Sequence, residues 1–159
     1  MNEQAKSDLL HKLTYGLYVM TAEAGGERGG MLVTWVMQAS FSPPLIAVGV
    51  KGSAHTTAVM KQSGAFALNF MTDEQRKEAG AFGQKYAKVG DKFAHYASTP
   101  GAATGSPILE GVLGYLECKI TGWLAGGDHD IVLAEIVAAE VGQDAPLMTT
   151  VSSGMSYAG

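Results

Sequence analysis

From Thr34 to Pro44 the chain runs Thr-Trp-Val-Met-Gln-Ala-Ser-Phe-Ser-Pro-Pro, and this stretch constrains the fold more than any other. It reads as a strand carrying hydroxyls and an amide. Pro43 and Pro44 cannot donate ladder hydrogen bonds, so they end it. Leu45 to Lys51 follows as a nearly all-apolar strand, which suits burial on both faces. Ser53, Thr56 and Thr57 then load the next segment with hydroxyls. A polar strand, a hard stop, a buried strand and a hydroxyl-rich helix start belong to a β-rich architecture. Such an arrangement lets a barrel line a planar ligand that carries a phosphate.

The rest of the chain punctuates into short elements. Residues 3–13 predict a short helix with Leu9, Leu10 and Leu13 on one side, and Tyr15 to Ala22 predicts a strand. Residues 24–30 are a glycine-loaded turn, and Met31 to Ser40 reads as one continuous strand. Ser53 is placed to cap a helix over residues 54–62 that stops near Gly64. Ala65 to Met71 is a further strand. Thr72 and Gln75 have capping-box spacing, opening a second helix that runs to about Phe82. Residues 83–107, with Pro100 and Pro107, read as loop. Val112 to Leu124 alternates, with Leu116, Cys118, Ile120 and Leu124 on one face and Tyr115, Glu117, Lys119, Thr121 and Trp123 on the other. Gly126-Gly-Asp-His129 turns this strand into a hairpin with Ile131 to Val141, and a polar, glycine-rich tail follows Gln143.

About six strands with two short helices predict a mainly β fold, a closed, Greek-key-like antiparallel barrel with helical excursions. The 159 residues make one domain spanning 1–159. No dinucleotide or P-loop glycine signature occurs. Hydrophobic residues are 47% and charged residues only 16%, so more apolar surface exists than a small barrel hides, and a homodimer is expected. The net charge of −4 and the lack of a basic stripe argue against nucleic acid. No run reaches the length of a membrane span, and the N-terminus lacks the apolar core of a signal peptide. The expected location is therefore the cytoplasm. Cys118 is the one cysteine, on the apolar face of its strand, and reads as an inert core thiol.

Several residues could carry chemistry. Lys51, Ser53, Thr56 and Thr57 could hold a phosphate at a helix start, or merely cap a helix beside solvated neighbours. On the strand from Thr34, Gln38 and Ser40 could meet the polar edge of a ring while Trp35 covers its face; the alternative is a barrel strand facing water. His129 could bind a phosphate or position a ring, or be a plain turn residue. Lys92, in Asp91-Lys-Phe93, could face an anion or be a solvated charge. Glu135 and Glu140 have no partner for acid–base work. His11, His55 and His95 are scattered, no ligand spacing is present, and no metal site is expected.

The order of these pieces resembles the flavin reductase-like family of FMN-binding split barrels. The matching stretches are Leu13–Ala22, Gly30–Ser40, Pro43–Val50, Ser63–Asn69, Asp91–Phe93 and Gly127–His129. The opening strand is similar to reductase modules fused to flavodiiron proteins or rubredoxins, here expected as a separate module. The resemblance implies FMN, with FAD as the alternative, bound at a homodimer interface and reduced by NADH or NADPH. It implies flavin contacts at Val33, Thr34, Trp35, Val36 and Met37, then at Ala39 and Ser40. Further contacts would fall on Lys51, Ser53 and Thr56, with Asn69, Phe82 and Lys92 completing the pocket. His129 is the implied catalytic-site residue, acting by positioning the nicotinamide. Electrons would pass to free flavin, iron or a partner protein. A non-catalytic FMN electron carrier, or a flavin- or heme-binding module, is the alternative.

Overall fold

The computed structural model describes residues 1–155 and Tyr157. A short helix α1 (Glu3–Leu10) precedes strands β1 (Tyr18–Ala24), β2 (Glu27–Val33), β3 (Val36–Ser40) and β4 (Leu45–Lys51). Helix α2 (His55–Ser63) and strand β5 (Ala65–Phe70) follow, then α3 (Arg76–Gly83) and α4 (Tyr86–Val89). Two short strands, β6 (Ser98–Pro100) and β7 (Pro107–Leu109), lead into the long pair β8 (Gly114–Gly126) and β9 (His129–Val141). Helix α5 (Thr150–Ser153) comes last. Among the described residues, no helix is long and apolar enough to cross a membrane.

Seven strands form one antiparallel sheet in the order β2-β1-β5-β8-β9-β4-β3. The two ends of that order, β2 and β3, are consecutive in the chain and separated only by Thr34 and Trp35. The sheet therefore curls back on itself as a split barrel, mainly β with short helices, as expected. The expected single strand from Met31 to Ser40 is corrected: it breaks at Thr34-Trp35. There Val36 N–H donates to the Thr34 carbonyl (3.0 Å) and Gly49 N–H donates to the Trp35 carbonyl (2.8 Å). The break lets one run of sequence serve both edges of the barrel.

The barrel interior holds Met20, Val48, Val50, Phe66, Leu68, Cys118 and Val132, closed at one end by Val59 and Met60 of α2. A second apolar cluster joins Leu17, Val19, Met71, Phe82, Phe93, Leu109 and Met148. It welds α3 and the segment carrying Phe93 to the β1–β2 side. Met148, in what reads as a polar tail, is fully buried. That tail forms bridges from Leu147 to Thr72 and from Thr149 to Gly16 before α5.

The turn glycines divide by cause. Gly25 and Gly26, at φ 62° and 88°, make the two-residue β1–β2 turn, whose left-handed backbone suits hairpin twist. Gly29 and Gly30 are strand residues instead. A Cβ on Gly29 would lie 2.8 Å from the Thr56 Cα, and one on Gly30 2.5 Å from the Phe82 ring. Here glycine permits close packing, not turning.

Other expectations need correction. Ser53 does not cap α2: Ala54 holds the cap position without a side-chain bond. The turn closes through Ala54 N–H (3.0 Å) and the Thr57 hydroxyl (2.9 Å), both donating to the Lys51 carbonyl. Leu9 and Leu13 pack no core; they are 70% and 50% exposed. The 83–107 stretch contains α4, a 3₁₀ turn at Lys92–Ala94 and the β6–β7 hairpin. The β8–β9 ladder shifts register twice: β9 carries an extra residue, Val137, opposite Glu117/Cys118, and β8 carries an extra residue, Thr121, between Ile120 and Gly122, which moves later β8 side chains to the other face. Trp123 consequently packs on the core, while Leu124 is 68% exposed. Glu117, expected to face out, is covered by residues 101–104 and accepts from the Thr104 N–H and hydroxyl, each at 2.7 Å. Cys118 is buried as expected, and burial pushes its thiol up to about 12. The capping box at Thr72 and Gln75 is present, heading a 3₁₀ turn that feeds α3.

Candidate functional site

Where β2 breaks, a cleft of about 330 Å³ opens between the barrel edge and α3. Val33, Thr34 and Trp35 form its floor, the β4 residues Gly49 and Lys51 and the β9 residue His129 one wall, and Gly80, Gly83 and Gln84 the α3 side. Met155 and Tyr157 reach it from beyond α5.

Local sequence explains the floor. Trp35 lies flush on β4 because residue 49 has no side chain: a Cβ there would sit 2.9 Å from the indole. Thr34 is only 8% exposed, and its hydroxyl has no hydrogen-bond partner among the described residues. An unpaired buried hydroxyl costs about 1–3 kcal/mol, so native structures satisfy nearly all of them. One that lines a cleft is an acceptor and donor held ready for something that enters.

Across the floor stands His129, positioned by the β8–β9 turn. Gly127, at φ 63°, makes that turn tight and Gly126 pairs with His129. Lys51 and His129 are register partners, so an ammonium and an imidazole share the rim. The His129 Nδ1 lies 2.8 Å from the Asp128 carboxylate and its Nε2 lies 2.9 Å from the Tyr157 hydroxyl. The hydrogen bond from His129 holds the Asp128 carboxyl below its usual range. Ring centroids of Trp35 and His129 are 4.8 Å apart, and Tyr157 is 5.5 Å from Trp35. Burial, then the Asp128 charge, pushes the Tyr157 phenol above its ordinary value.

Of the residues expected to contact a ligand, the fold gathers Val33, Thr34, Trp35, Lys51 and His129 at one cleft. Ser53 sits exposed on the turn just after Lys51, and Thr56 is buried beneath Gly29. Val36, Met37, Ala39 and Ser40 lie on β3, an end strand whose Met37 is 64% exposed. Three residues are used by the fold itself. Asn69 donates its amide to the Val19 carbonyl (3.1 Å) and Thr21 hydroxyl (3.2 Å), and accepts from Leu109 N–H (2.9 Å). Phe82 is fully buried in the second cluster. Lys92, read as a solvated charge or an anion contact, is 6% exposed. Its ammonium donates to the carbonyls of Phe82 (2.7 Å) and Gly30 (3.0 Å), and burial lowers it to about 8.

Gly49 and Tyr157 escape a reading of the sequence by local pattern. A glycine inside an all-apolar strand is a signal of close approach and could have exposed the first. Nothing local marks Tyr157. An apolar cleft with one aromatic floor, an unpaired hydroxyl, and a cationic and an imidazole rim suits a planar, polar-edged ring with an anionic tail.

The family model described as "Flavin reductase like domain" matches residues 10–156. Diflavin flavoprotein A 1 of a Synechocystis strain is 34% identical over 131 residues, which is 82% of this chain and 23% of that relative. The chain spans about a quarter of the length of the curated relatives it matches. Among solved structures, the NADH:FAD oxidoreductase of Streptomyces globisporus C-1027 superposes with a TM-score of 0.83 at 27% identity, covering 92% of this chain and 87% of that one. Flavoredoxin from Methanosarcina acetivorans gives a TM-score of 0.76 at 24% identity, covering 82% of this chain and 70% of that one.

Proposed function

The chain belongs to the flavin reductase-like family, and on that premise we propose that it binds FMN or FAD in the Thr34–Trp35 cleft and reduces it with NADH or NADPH. The observation that carries the reading is the unpaired Thr34 hydroxyl, buried at the floor of an apolar cleft beside Trp35. A flavin ring offers donors and acceptors along one edge and apolar faces, which is the complement of that floor. When bound, the flavin accepts a hydride and passes electrons on; that chemistry belongs to the cofactor.

The chain's own residues bind and orient. Thr34 meets the polar edge of the ring. Trp35 covers apolar surface and excludes water. Lys51 and Ser53, at the β4–α2 turn, supply charge and a hydroxyl for a phosphate. His129, fixed by Asp128, positions the nicotinamide, so that the reacting rings meet in a productive geometry. No side chain needs to act as acid or base for a hydride to move.

A second copy of the chain completes the reading. Met37, Leu124 and Ile131, which are 64%, 68% and 42% exposed, leave apolar surface open on β3, β8 and β9. A two-fold pairing would cover it and place the flavin between subunits. The acceptor is free flavin, iron or an electron-accepting protein.

Anaerobic titration tests this. The purified protein with FMN should bleach when NADH or NADPH is added. His129→Ala should leave flavin affinity within a few-fold yet slow bleaching about ten-fold, equivalent to ~1.4 kcal/mol. Tight flavin with no bleaching by either nicotinamide would instead make the protein an electron carrier. Light scattering of the same sample should return twice the 16.6 kDa chain mass.

A further inference from the structure

We propose that Tyr157 is a built-in cap on the cleft, its phenol standing where the ring of an entering ligand must go. The ligand's identity, a nicotinamide or flavin ring, rests on the function proposed above; the cap itself rests on contacts within the chain.

The segment ahead of the cap is firmly anchored. Thr149 and Ser152 form a capping box around α5. The Ser152 hydroxyl donates to Asp73 (2.7 Å), and the Arg76 guanidinium donates to the carbonyls of Ser152 and Ser153. Gly154, at φ 66°, then turns the chain toward the cleft. Met155 then packs against the second apolar cluster, its N–H donating to the Ser153 hydroxyl (3.1 Å). Tyr157 stays 50% exposed and, among the described residues, makes one side-chain hydrogen bond, to His129. A tight anchor ahead of a half-exposed aromatic is the mechanical layout of a displaceable cap.

The contacts of Tyr157 also match those a ligand would make. Asp128 accepts from Nδ1–H of His129, so a neutral imidazole presents Nε2 as an acceptor. The Tyr157 phenol donates to that nitrogen and its ring lies 5.5 Å from Trp35. A planar ring bearing an N–H donor, such as a carboxamide or an imide, would use the same nitrogen and the same indole. Cap and ligand therefore compete, and the apparent affinity is lowered by the fraction of protein that is capped.

Titrating FMN and NAD⁺ separately into wild type, Tyr157→Phe and Tyr157→Ala decides the matter. Tyr157→Ala should tighten at least one ligand by about five-fold. Tyr157→Phe keeps the ring and loses the hydrogen bond, and should give roughly two-fold. Without ligand, in a Trp123→Phe background, Tyr157→Ala should alter Trp35 emission, and adding ligand to the Tyr157 protein should shift emission the same way. Unchanged or weaker binding by Tyr157→Ala, with flavin still bound, overturns the cap alone. A protein that binds neither ligand in any form overturns the functional reading and the cap together.

Discussion

The polar knot around Asn69 and the cleft beside Thr34 use the same kinds of side chain, yet they end differently. In the knot, the Asn69 amide, the Thr21 hydroxyl and the Leu109 N–H all find partners, with Thr21 donating to the Pro107 carbonyl at 2.5 Å. Lys92 is a second closed case, its ammonium taken up by two carbonyls. Thr34 is also buried, at 8% exposure against 0% for Asn69, but its hydroxyl is left over among the described residues. Burial of a polar group therefore does not distinguish scaffold from site. Satisfaction and place together do: a closed network stabilises, and the Ser106 hydroxyl, also buried and unpaired among the described residues, does not line the cleft, whereas that of Thr34 does.

The comparison breaks most visibly at Asn69. Replacing it with alanine takes the acceptor from the Leu109 N–H and the amide donor from the Val19 carbonyl and Thr21 hydroxyl, and should cost about 3 kcal/mol in urea unfolding. Flavin affinity of the folded fraction should change little. A large affinity loss with an unmoved unfolding midpoint would make Asn69 a ligand contact after all.

Lys92→Met should cost about 2 kcal/mol at pH 7 by leaving two carbonyls unpaired. The pH dependence has a definite sign. Lys92 titrates at about 8 when folded, against an ordinary value of 10.5. Between those values the unfolded chain holds more protons, so stability from this group rises with pH through that window. The gap between wild type and Lys92→Met should widen from pH 8 to pH 10.5. A constant gap would mean that the buried ammonium is not destabilised.

Thr34→Val is the smallest change and the sharpest. It keeps the shape and removes the unpaired hydroxyl, so stability should hold or rise by up to about 1 kcal/mol. Flavin binding, followed by fluorescence quenching, should weaken by roughly five-fold, or ~1 kcal/mol. Stability lost with affinity retained would place Thr34 among the scaffold groups.

Local chemistry in the sequence was enough for several elements. The Thr72–Gln75 box, the Gly126–His129 turn, the all-apolar β4 and the helix ended by Gly64 each depend on residues a few positions apart, so pattern and propensity expose them. The order of motifs also brought Thr34, Trp35, Lys51 and His129 into one expectation. Tertiary structure alone decided the break of the second strand, because only closure of the barrel requires Thr34-Trp35 to pass from one edge to the other. It also decided that β8 bulges at Thr121, exchanging Trp123 for Leu124 on the core face. Lys92 became a buried clamp and Tyr157 an aromatic wall through partners 62 and 28 residues away in sequence. Contacts of that span follow from how strands neighbour one another in space, and no spacing within a segment encodes them.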